Sequence, residues 1–392
     1  MKAIDIFEKS EFEYRLTMVR TRMVEKGFDC LIVTDPCNIY YLTGYDGWSL
    51  YTPQALVLFQ DHDPVFITRS MDCAGVRMTS CLADDAIIGY GEHLVQTNDG
   101  HPFEVVAQHI EDTLGSGAIR IALETESYYL TVRSYQQLQV LLPNARFCDS
   151  DLLVNWIRFI KSEKEQLLMR EAGRLLTNAM NRTIETIKDG AFQRDAVAVA
   201  YAENIAGITD IGGSYTSSPA FFLADERIKT PHLPWTDERI ENDSQINLEL
   251  MGNRLRYQCT MGRTVFVGDP PKRLIELEQI ICEGINDVLS FIKPGTTCHE
   301  VADYLLSFLK TRGIEKESRC GYSQGIAYPP TGGELTASIR RGDTTVLKEG
   351  ATMHLLPAIW SDNTSIIISE PFIVTKEGAE PLCNVPRQLF IK

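Results

Sequence analysis

Glu249 is a carboxylate inside an apolar segment, where an ionisable side chain needs a partner or a chemical task. Segment 246–250 reads Ile-Asn-Leu-Glu-Leu, so strand alternation puts Asn247 and Glu249 on one face. A buried carboxylate costs free energy unless it is paired or functional. Such a group can act as a nucleophile or as a general base. The alternative is an edge strand on which Glu249 points to water.

Glu370 and His232 are further candidates for catalysis. Glu370 interrupts the β-branched segment 366–374, so the argument made for Glu249 also applies to it. His232 lies in the Pro-His-Leu-Pro segment 231–234, where two prolines restrict the backbone on either side. An imidazole titrates near neutral pH and can donate a proton to a leaving group. A loop histidine that bonds to its neighbours is the alternative.

Two groups of aromatic and acidic residues are candidates for substrate binding. One group lies in Gly- and Pro-rich segments of the second half, and the other lies in the loop 45–51. Tyrosine and tryptophan can donate a hydrogen bond or stack on a planar cation, with which a glutamate can pair. Ordinary half-buried aromatic residues and a solvated loop carboxylate are the alternatives. The candidates are Tyr322, Tyr328, Glu334, Trp48 and Tyr51.

Motifs for metals and cofactors are missing from the sequence. There is no H-E-x-x-H segment, no closely spaced pair of cysteines, and the seven histidines are dispersed. No Gly-rich phosphate loop follows a strand, and no G-x-S-x-G segment is present. We therefore expect neither a metal ion nor an organic cofactor.

The composition excludes several classes of partner. The chain has 392 residues, enough for two or three domains, and a formal net charge of −15. This charge disfavours nucleic acid and anionic membrane surfaces, since both would repel it. The ten cysteines are scattered singly, the N-terminus has no cleavage signature, and no apolar run reaches about 20 residues. We expect a cytoplasmic protein.

The elements that must position these residues fall into two domains, 1–158 and 159–392. The first alternates helices and strands, which predicts an α/β domain. The second opens with a capping box at Ser162 and Glu165 and combines long helices with β-branched strands, which predicts an α+β domain. The predicted helices cover 12–26, 102–114, 273–291 and 298–309, and the predicted strands cover 30–34, 55–59, 64–68 and 119–123.

Several segments together resemble the creatinase-like branch of the creatinase, prolidase and methionine aminopeptidase superfamily, which has the pita-bread fold. The resemblance covers nearly the whole chain and is strongest to the ectoine hydrolase group. It implies a creatinase-type N-terminal domain over 1–158 and a pita-bread catalytic domain over 159–392. The matching segments are 44–49, 161–165, 231–233, 256–259, 321–323, 327–330 and 385–390, together with the strand–turn–strand segment 248–264.

Five positions of this resemblance bear on metal binding. Metallopeptidases of the superfamily hold two metal ions with Asp, Asp, His, Glu and Glu. Three of the residues that stand here are poor ligands for a hard divalent ion, so the resemblance implies a metal-free enzyme. The five positions hold Glu249, Thr260, Tyr322, Leu356 and Glu370. Creatinase is also metal-free, but it has a glutamate where this chain has Gly262, which argues against creatine as the substrate.

The implied activity is the metal-independent hydrolysis of a non-peptide C–N bond, most directly the opening of the cyclic amidine of ectoine to N-acetyl-L-2,4-diaminobutyrate. Glu249 would attack the amidinium carbon or activate water, and His232 would protonate the leaving nitrogen. Glu370, with Glu334, would hold the amidinium group. The residues that would shape the pocket are Tyr322, Tyr328 and Tyr257. The substrate is expected to be a small zwitterionic or cationic molecule.

Two other functions remain open on the sequence. One is a creatinase-like amidinohydrolase that acts on another guanidino or amidino compound. The other is a binding module, similar to an Xaa-Pro peptidase but without peptidase activity. Segments 213–218 and 222–230 depart from the ectoine hydrolase pattern, which leaves the substrate open. The resemblance also implies a homodimer in which Trp48 and Tyr51 border the neighbouring subunit's site.

Overall fold

The computed structural model describes residues 1–360 and 365–392, and the chain divides into two compact units. The division falls after Arg158, so that the units are Met1–Arg158 and Phe159–Lys392. No helix in the described parts of the chain combines the length and the apolar character needed to cross a membrane.

The first unit is built on one mixed sheet. Its helices are α1 (Ala3–Ile6), α2 (Lys9–Lys26), α3 (Pro36–Thr43), α4 (Cys73–Thr79), α5 (Phe103–Leu114), α6 (Val132–Leu141) and α7 (Leu153–Arg158). Its strands are β1 (Cys30–Val33), β2 (Ala55–Phe59), β3 (Val65–Arg69), β4 (Ile87–Tyr90), β5 (Arg120–Leu123) and β6 (Arg146–Asp149). The strand order is β4-β3-β2-β1-β5-β6, and α5 and α6 cover the core of the sheet. This confirms the expected α/β architecture.

Several helices of this unit were not predicted from the sequence, and α3 is one of them. The chain forms α3 from Pro36 onward. The Asp35 carboxylate accepts a hydrogen bond from Cys37 N at 2.8 Å, and a proline suits the first helical position. Gly44 ends the helix with φ 79°, a conformation that favours glycine.

The second unit combines long helices with two four-stranded sheets. The helices are α8 (Glu163–Thr186), α9 (Gln193–Ala206), α10 (Lys272–Phe291) and α11 (Cys298–Thr311). The strands are β7 (Phe221–Ala224), β8 (Gln245–Arg254), β9 (Tyr257–Phe266), β10 (Gly321–Ser323), β11 (Thr352–Leu355), β12 (Glu370–Val374), β13 (Ala379–Pro381) and β14 (Phe390–Ile391). One sheet has the order β14-β9-β8-β7 and the other β10-β11-β12-β13. This confirms the expected α+β architecture.

Local signals in the sequence determine where the long helices begin. Ser162 N donates to the Glu165 carboxylate at 2.8 Å, which completes the capping box at the start of α8. Thr297 and Glu300 form the same arrangement at the start of α11. The capping box at Ser162 confirms the sequence prediction, and such boxes are predictable because each depends only on residues three positions apart.

The strands β8 and β9 form the hairpin that was predicted for segment 248–264. The turn residues Leu255 and Arg256 have φ values of 48° and 69°, as a two-residue hairpin turn requires. The register places Glu249 opposite Gly262. Since β8 lies between β9 and β7, the alternative of an edge strand is excluded for Glu249.

β7 overlaps the start of segment 222–230, which departs from the ectoine hydrolase pattern. Phe221–Ala224 pairs antiparallel with β8 and places Phe221 opposite Glu249. The physical reason is the apolar run Phe-Phe-Leu-Ala, which completes a sheet that is buried on both faces.

Candidate functional site

The hairpin has one face toward α8 and one face away from it, and Glu249 lies on the latter. A Cβ on Gly252 would lie 2.4 Å from the Ala172 carbonyl oxygen, so α8 packs directly on this face of β8. Cys259 Sγ, on the same face of β9, contacts the Met169 carbonyl oxygen at 3.3 Å. Alternation then puts Glu249 on the opposite face, together with Thr260 and Gly262 of β9.

Glu249 is a buried carboxylate without a hydrogen bond to any residue that the structure describes. Its side chain is 8% exposed. Burial raises its pKa from 4.5 to about 7, because no neighbouring positive charge offsets the loss of hydration. Glu249 can therefore exist in both protonation states near neutral pH. A cation bound beside it would supply the missing partner and favour the ionised form.

Tyr322 of β10 lies near Glu249. Its ring meets the His354 ring edge-on at a centroid distance of 5.2 Å. Burial, and then the charge of Glu249, raise the pKa of the Tyr322 hydroxyl well above its ordinary value. The phenol is therefore neutral at physiological pH and can donate a hydrogen bond to a ligand held between it and Glu249.

Thr260 and Gln324 bring polar atoms to the same region. Thr260 N donates to Gln324 Oε1 at 3.0 Å, which ties β9 to the end of β10. The Thr260 hydroxyl interacts with the Tyr322 hydroxyl, whereas the buried Gln324 Nε2 has no hydrogen-bond partner in the described parts of the chain. Buried polar atoms are rarely left in this state, so Gln324 Nε2 is suited to contact a polar ligand.

His354 of β11 is a residue that sequence reasoning missed. Its Nε2 lies 2.7 Å from Ser369 Oγ, which also accepts a hydrogen bond from Gly262 N at 2.7 Å. Burial lowers the pKa of His354 to about 3, so the imidazole is neutral. It supports Tyr322 from the neighbouring strand. A polar residue within the otherwise apolar segment 353–355 was the available signal.

His232 lies on the Glu249 side of the sheet. Its ring packs against Phe221 with centroids 5.7 Å apart, and Phe221 is the strand partner of Glu249. Residues paired across antiparallel strands lie on the same face of the sheet. Since His232 contacts Phe221, it lies on the face that carries Glu249. His232 itself is exposed, which places it at the rim of the cluster.

The segment 328–334 covers part of this cluster. A Cβ on Gly333 would lie 3.2 Å from the Tyr322 ring, so this glycine allows the loop to approach closely. Tyr328 is buried beside the Arg256 guanidinium group, whose carbon lies 4.7 Å from the ring centroid. The Glu334 carboxylate lies 2.6 Å from Lys161 Nζ in a fully buried ion pair. That pairing anchors the loop.

Glu370 and Tyr257 are not brought to Glu249. The Glu370 carboxylate lies 3.4 Å from Arg263 Nη2 and 3.3 Å from Arg387 Nε. Arg263 leaves β9 on the face opposite to Gly262, and hence opposite to Glu249. Tyr257 leaves on the same face as Arg263, and its hydroxyl donates to Glu165 Oε1 of α8 at 2.9 Å.

Trp48 and Tyr51 belong to the first unit. Their side chains are 58% and 64% exposed, respectively. The Tyr51 hydroxyl accepts a hydrogen bond from Arg69 Nη1 at 3.3 Å. Both aromatic residues are therefore mostly exposed.

The residues at the five superfamily metal positions do not fit a binuclear metal centre. Thr260 and Tyr322 offer neutral hydroxyl groups, Leu356 offers no side-chain donor, and two arginines neutralise Glu370. Within residues 1–360 and 365–392 there is no cluster of three or more His, Cys, Asp or Glu that could hold a metal ion. Hard divalent cations require several anionic oxygen ligands, which this set does not supply.

Comparison with known proteins identifies relatives over the full length of the chain. An uncharacterized hydrolase/peptidase of Sinorhizobium fredii is 43% identical over 387 residues, with 98% of each chain covered. Ectoine hydrolase of Halomonas elongata is 36% identical over 392 residues, again with 98% of each chain covered. Both identities are high enough to place the chain in one family with these proteins.

Solved structures show the same architecture. Prolidase from Thermococcus sibiricus superimposes with a TM-score of 0.85 at 16% identity, covering 97% of this chain and 99% of that one. Xaa-Pro dipeptidase from Bacillus anthracis gives a TM-score of 0.81 at 20% identity, covering 97% and 100%. These similarities concern the fold.

Two family patterns match the two parts of the chain. The Creatinase/Prolidase N-terminal domain matches residues 15–160, and Metallopeptidase family M24 matches residues 167–376. The resemblance inferred from the sequence motifs is thereby confirmed. The chain belongs to metallopeptidase family M24 and carries the creatinase/prolidase N-terminal domain in front of its pita-bread domain.

Proposed function

We propose that the protein is a metal-independent hydrolase that opens a small cyclic amidine of the ectoine type to N-acetyl-L-2,4-diaminobutyrate. The observation that carries this proposal is the Glu249 carboxylate, which is buried, has a pKa raised to about 7, and has no hydrogen-bond partner among the described residues. A planar amidinium cation would supply that partner. The chain is a hydrolase of family M24, and its 36% identity to ectoine hydrolase supports this substrate class.

The reaction adds one water molecule across one C–N bond of the ring. Glu249 either attacks the amidinium carbon or removes a proton from the attacking water. The planar carbon becomes tetrahedral, and its bond to one ring nitrogen then breaks as that nitrogen takes up a proton. If Glu249 itself has attacked, water then adds to the same carbon and the C–O bond to Glu249 breaks, which releases the amide and restores the carboxylate. His232, at the rim on the Glu249 side, is the proposed proton donor. The products are an amide and an amine.

The neighbouring polar groups have the task of orienting the ring. The neutral Tyr322 hydroxyl and Gln324 Nε2 supply hydrogen bonds to the substrate. We assign Glu370 a supporting role, because its two arginine partners hold β12 against β9 and neutralise its charge. Metal chemistry has no step in this proposal, since the donor set at the five ligand positions does not fit two metal ions.

A creatinase-like reaction is the second candidate, because creatinase shares the N-terminal domain type and needs no metal. Gly262 argues against a creatinase-like reaction, because it stands where creatinase has a glutamate. A Cβ on Gly262 would lie 2.3 Å from the Ile367 side chain, so a larger residue would not fit there without rearrangement. A binding module is the third candidate, and the uncommitted Gln324 Nε2 near Glu249 suits it equally well.

A product analysis separates these functions. Purified protein is incubated with ectoine, creatine and an Xaa-Pro dipeptide in parallel, and the products are followed by NMR, with Glu249→Gln as the control. We expect ring-opened product from ectoine alone and none from the variant. Release of urea from creatine, or of proline from the dipeptide, would contradict the proposal. Saturable binding of ectoine without turnover would favour the binding module.

We further propose a homodimer, in which the N-terminal domain of one subunit borders the site of the other. The exposed rings of Trp48 and Tyr51 support this arrangement, since large aromatic residues are enriched in binding surfaces. A reducing, cytoplasmic location is supported by the ten cysteines, all of which have free thiols.

A further inference from the structure

Arg319 lies beside the proposed site but takes no part in the chemistry described above. Its guanidinium carbon is 4.5 Å from the centroid of the Tyr322 ring, and its Nη1 donates to Ser338 Oγ at 3.1 Å. No carboxylate in the described parts of the chain forms an ion pair with it, and its side chain is exposed. This is notable because acidic residues outnumber basic ones, 53 to 38.

Two opposite charges act on Tyr322. The charge of Glu249 raises the pKa of its hydroxyl, whereas the charge of Arg319 lowers it, so both groups act on this side chain. The His354 ring lies perpendicular to the phenol ring, with centroids 5.2 Å apart, and the Arg319 guanidinium group lies over the phenol ring. The site therefore presents a negative group and a positive group around one fixed tyrosine. Such an arrangement is complementary to a small molecule that carries both charges.

We infer that Arg319 binds the carboxylate of a zwitterionic substrate whose amidinium group meets Glu249. The inference rests on the proposed function and assigns a residue to the recognition of the substrate's carboxylate. A guanidinium group binds a carboxylate through two parallel hydrogen bonds, which fixes orientation as well as position. The reverse orientation would bring two carboxylates together and two cations together. Arg319 thus determines which end of the substrate faces Glu249.

A purely structural role for Arg319 is the competing explanation. The guanidinium group could hold the Tyr322 ring in place through its cation–π contact alone. The two roles differ in their dependence on the ligand. Loss of a ring support weakens every ligand that contacts Tyr322, whereas loss of a carboxylate partner weakens only ligands with a carboxylate.

The test compares two ligands in two arginine variants. Arg319→Gln and Arg340→Gln are made in the Glu249→Gln background to prevent turnover, and binding is measured by calorimetry. Arg340 is the matched control because it is exposed and close enough for its charge to act on Arg319. The ligands are ectoine and the same ring without its carboxylate, 2-methyl-1,4,5,6-tetrahydropyrimidine.

We expect Arg319→Gln to weaken ectoine binding by about 10- to 100-fold, the usual effect of losing a charge-assisted pair. The ring without a carboxylate should change by less than about threefold, as should both ligands in Arg340→Gln. Arg319→Lys should restore part of the loss, because it keeps the charge but not the planar fork.

Other outcomes separate this inference from the proposed function. Equal weakening of both ligands, no weakening, or an equal effect of Arg340→Gln would overturn the role of Arg319, even if wild-type protein hydrolyses ectoine. Arg319-dependent binding of ectoine without turnover by wild-type protein would overturn the proposed function and leave the carboxylate contact standing. Failure of ectoine to bind the wild-type protein would contradict both.

Discussion

At the scale of single residues, ionisation of the buried Glu249 carboxyl group should affect both the stability and the activity of the protein. The carboxyl group has a pKa of about 7 in the folded chain and 4.5 as its unperturbed value. Below pH 4.5 the carboxyl group is protonated in both the folded and the unfolded protein, so no charge is buried on folding. As the pH rises through 7, the folded protein must ionise a buried group, so stability that is present at low pH is lost.

Replacing Glu249 by Gln should therefore stabilise the protein at pH 8 by on the order of 2 kcal/mol, and the gain should shrink toward pH 4.5. The free energy of unfolding is measured by urea denaturation at pH 5 and pH 8. Glu349→Gln serves as the control, since Glu349 is exposed. A gain that is the same at both pH values would show that Glu249 is not a buried, titrating group.

The same titration governs the proposed reaction. A nucleophile or general base must be ionised, so kcat/KM for ectoine should rise with pH through about 7. His232→Ala should lower kcat by about 10²- to 10⁴-fold but keep this ascending limb. The profile is measured from pH 5 to pH 9. A rate that is independent of pH across this range would remove Glu249 from the catalytic role.

At the scale of elements, we expect Tyr257 to contribute to stability and Tyr322 to contribute to substrate binding. Tyr257→Phe removes the hydrogen bond to Glu165 at the start of α8 and should cost about 1 kcal/mol of stability, with kcat/KM changed by less than about twofold. Tyr322→Phe should do the reverse, with a loss in kcat/KM and little effect on stability. Denaturation and kinetics of the two variants measure both effects. A large kinetic defect in Tyr257→Phe would place that residue in the substrate pocket.

Elements that depend on near neighbours could be predicted from the sequence. The capping box at Ser162, the end of α2 at Gly27 and the hairpin around Glu249 are all encoded within a few residues. The polar partners of the site could not be predicted, because strands far apart in the chain bring them together. Gln324 reaches β9 from the end of β10, and His354 reaches Tyr322 from the next strand. Arg319 was missed because only its contact with Tyr322 distinguishes it from an ordinary surface arginine.

Sequence reasoning also could not separate the two buried carboxylates. Glu249 and Glu370 both interrupt apolar strands, so the same burial argument applied to each. The structure distinguishes them through their partners. Glu370 has Arg263 and Arg387 within 4 Å, whereas burial alone determines the pKa of Glu249. Pairing between distant residues, such as Arg263 and Glu370, is not encoded in any local pattern.

At the scale of the whole molecule, the proposed dimer predicts complementation between inactive variants. If Trp48 and Tyr51 complete the neighbouring site, Glu249→Gln mixed with the double variant Trp48→Ala/Tyr51→Ala should form heterodimers with one intact site. After subunit exchange, activity should recover to about a quarter of wild type, as expected for random mixing of two subunits. Activity of the exchanged mixture is compared with each parent alone. Absence of recovery, with heterodimers demonstrated by mass spectrometry, would contradict shared sites.

The central claim is that this member of a metallopeptidase family opens a cyclic amidine without a metal ion. The most direct test is the rate of ectoine ring opening by protein that has been treated with a chelator and shown by elemental analysis to be free of transition metals. We predict a kcat unchanged from untreated protein and unaffected by added Mn²⁺ or Co²⁺, since the donor set does not fit a metal pair. A rate that vanishes on chelation and returns with either ion would contradict the account.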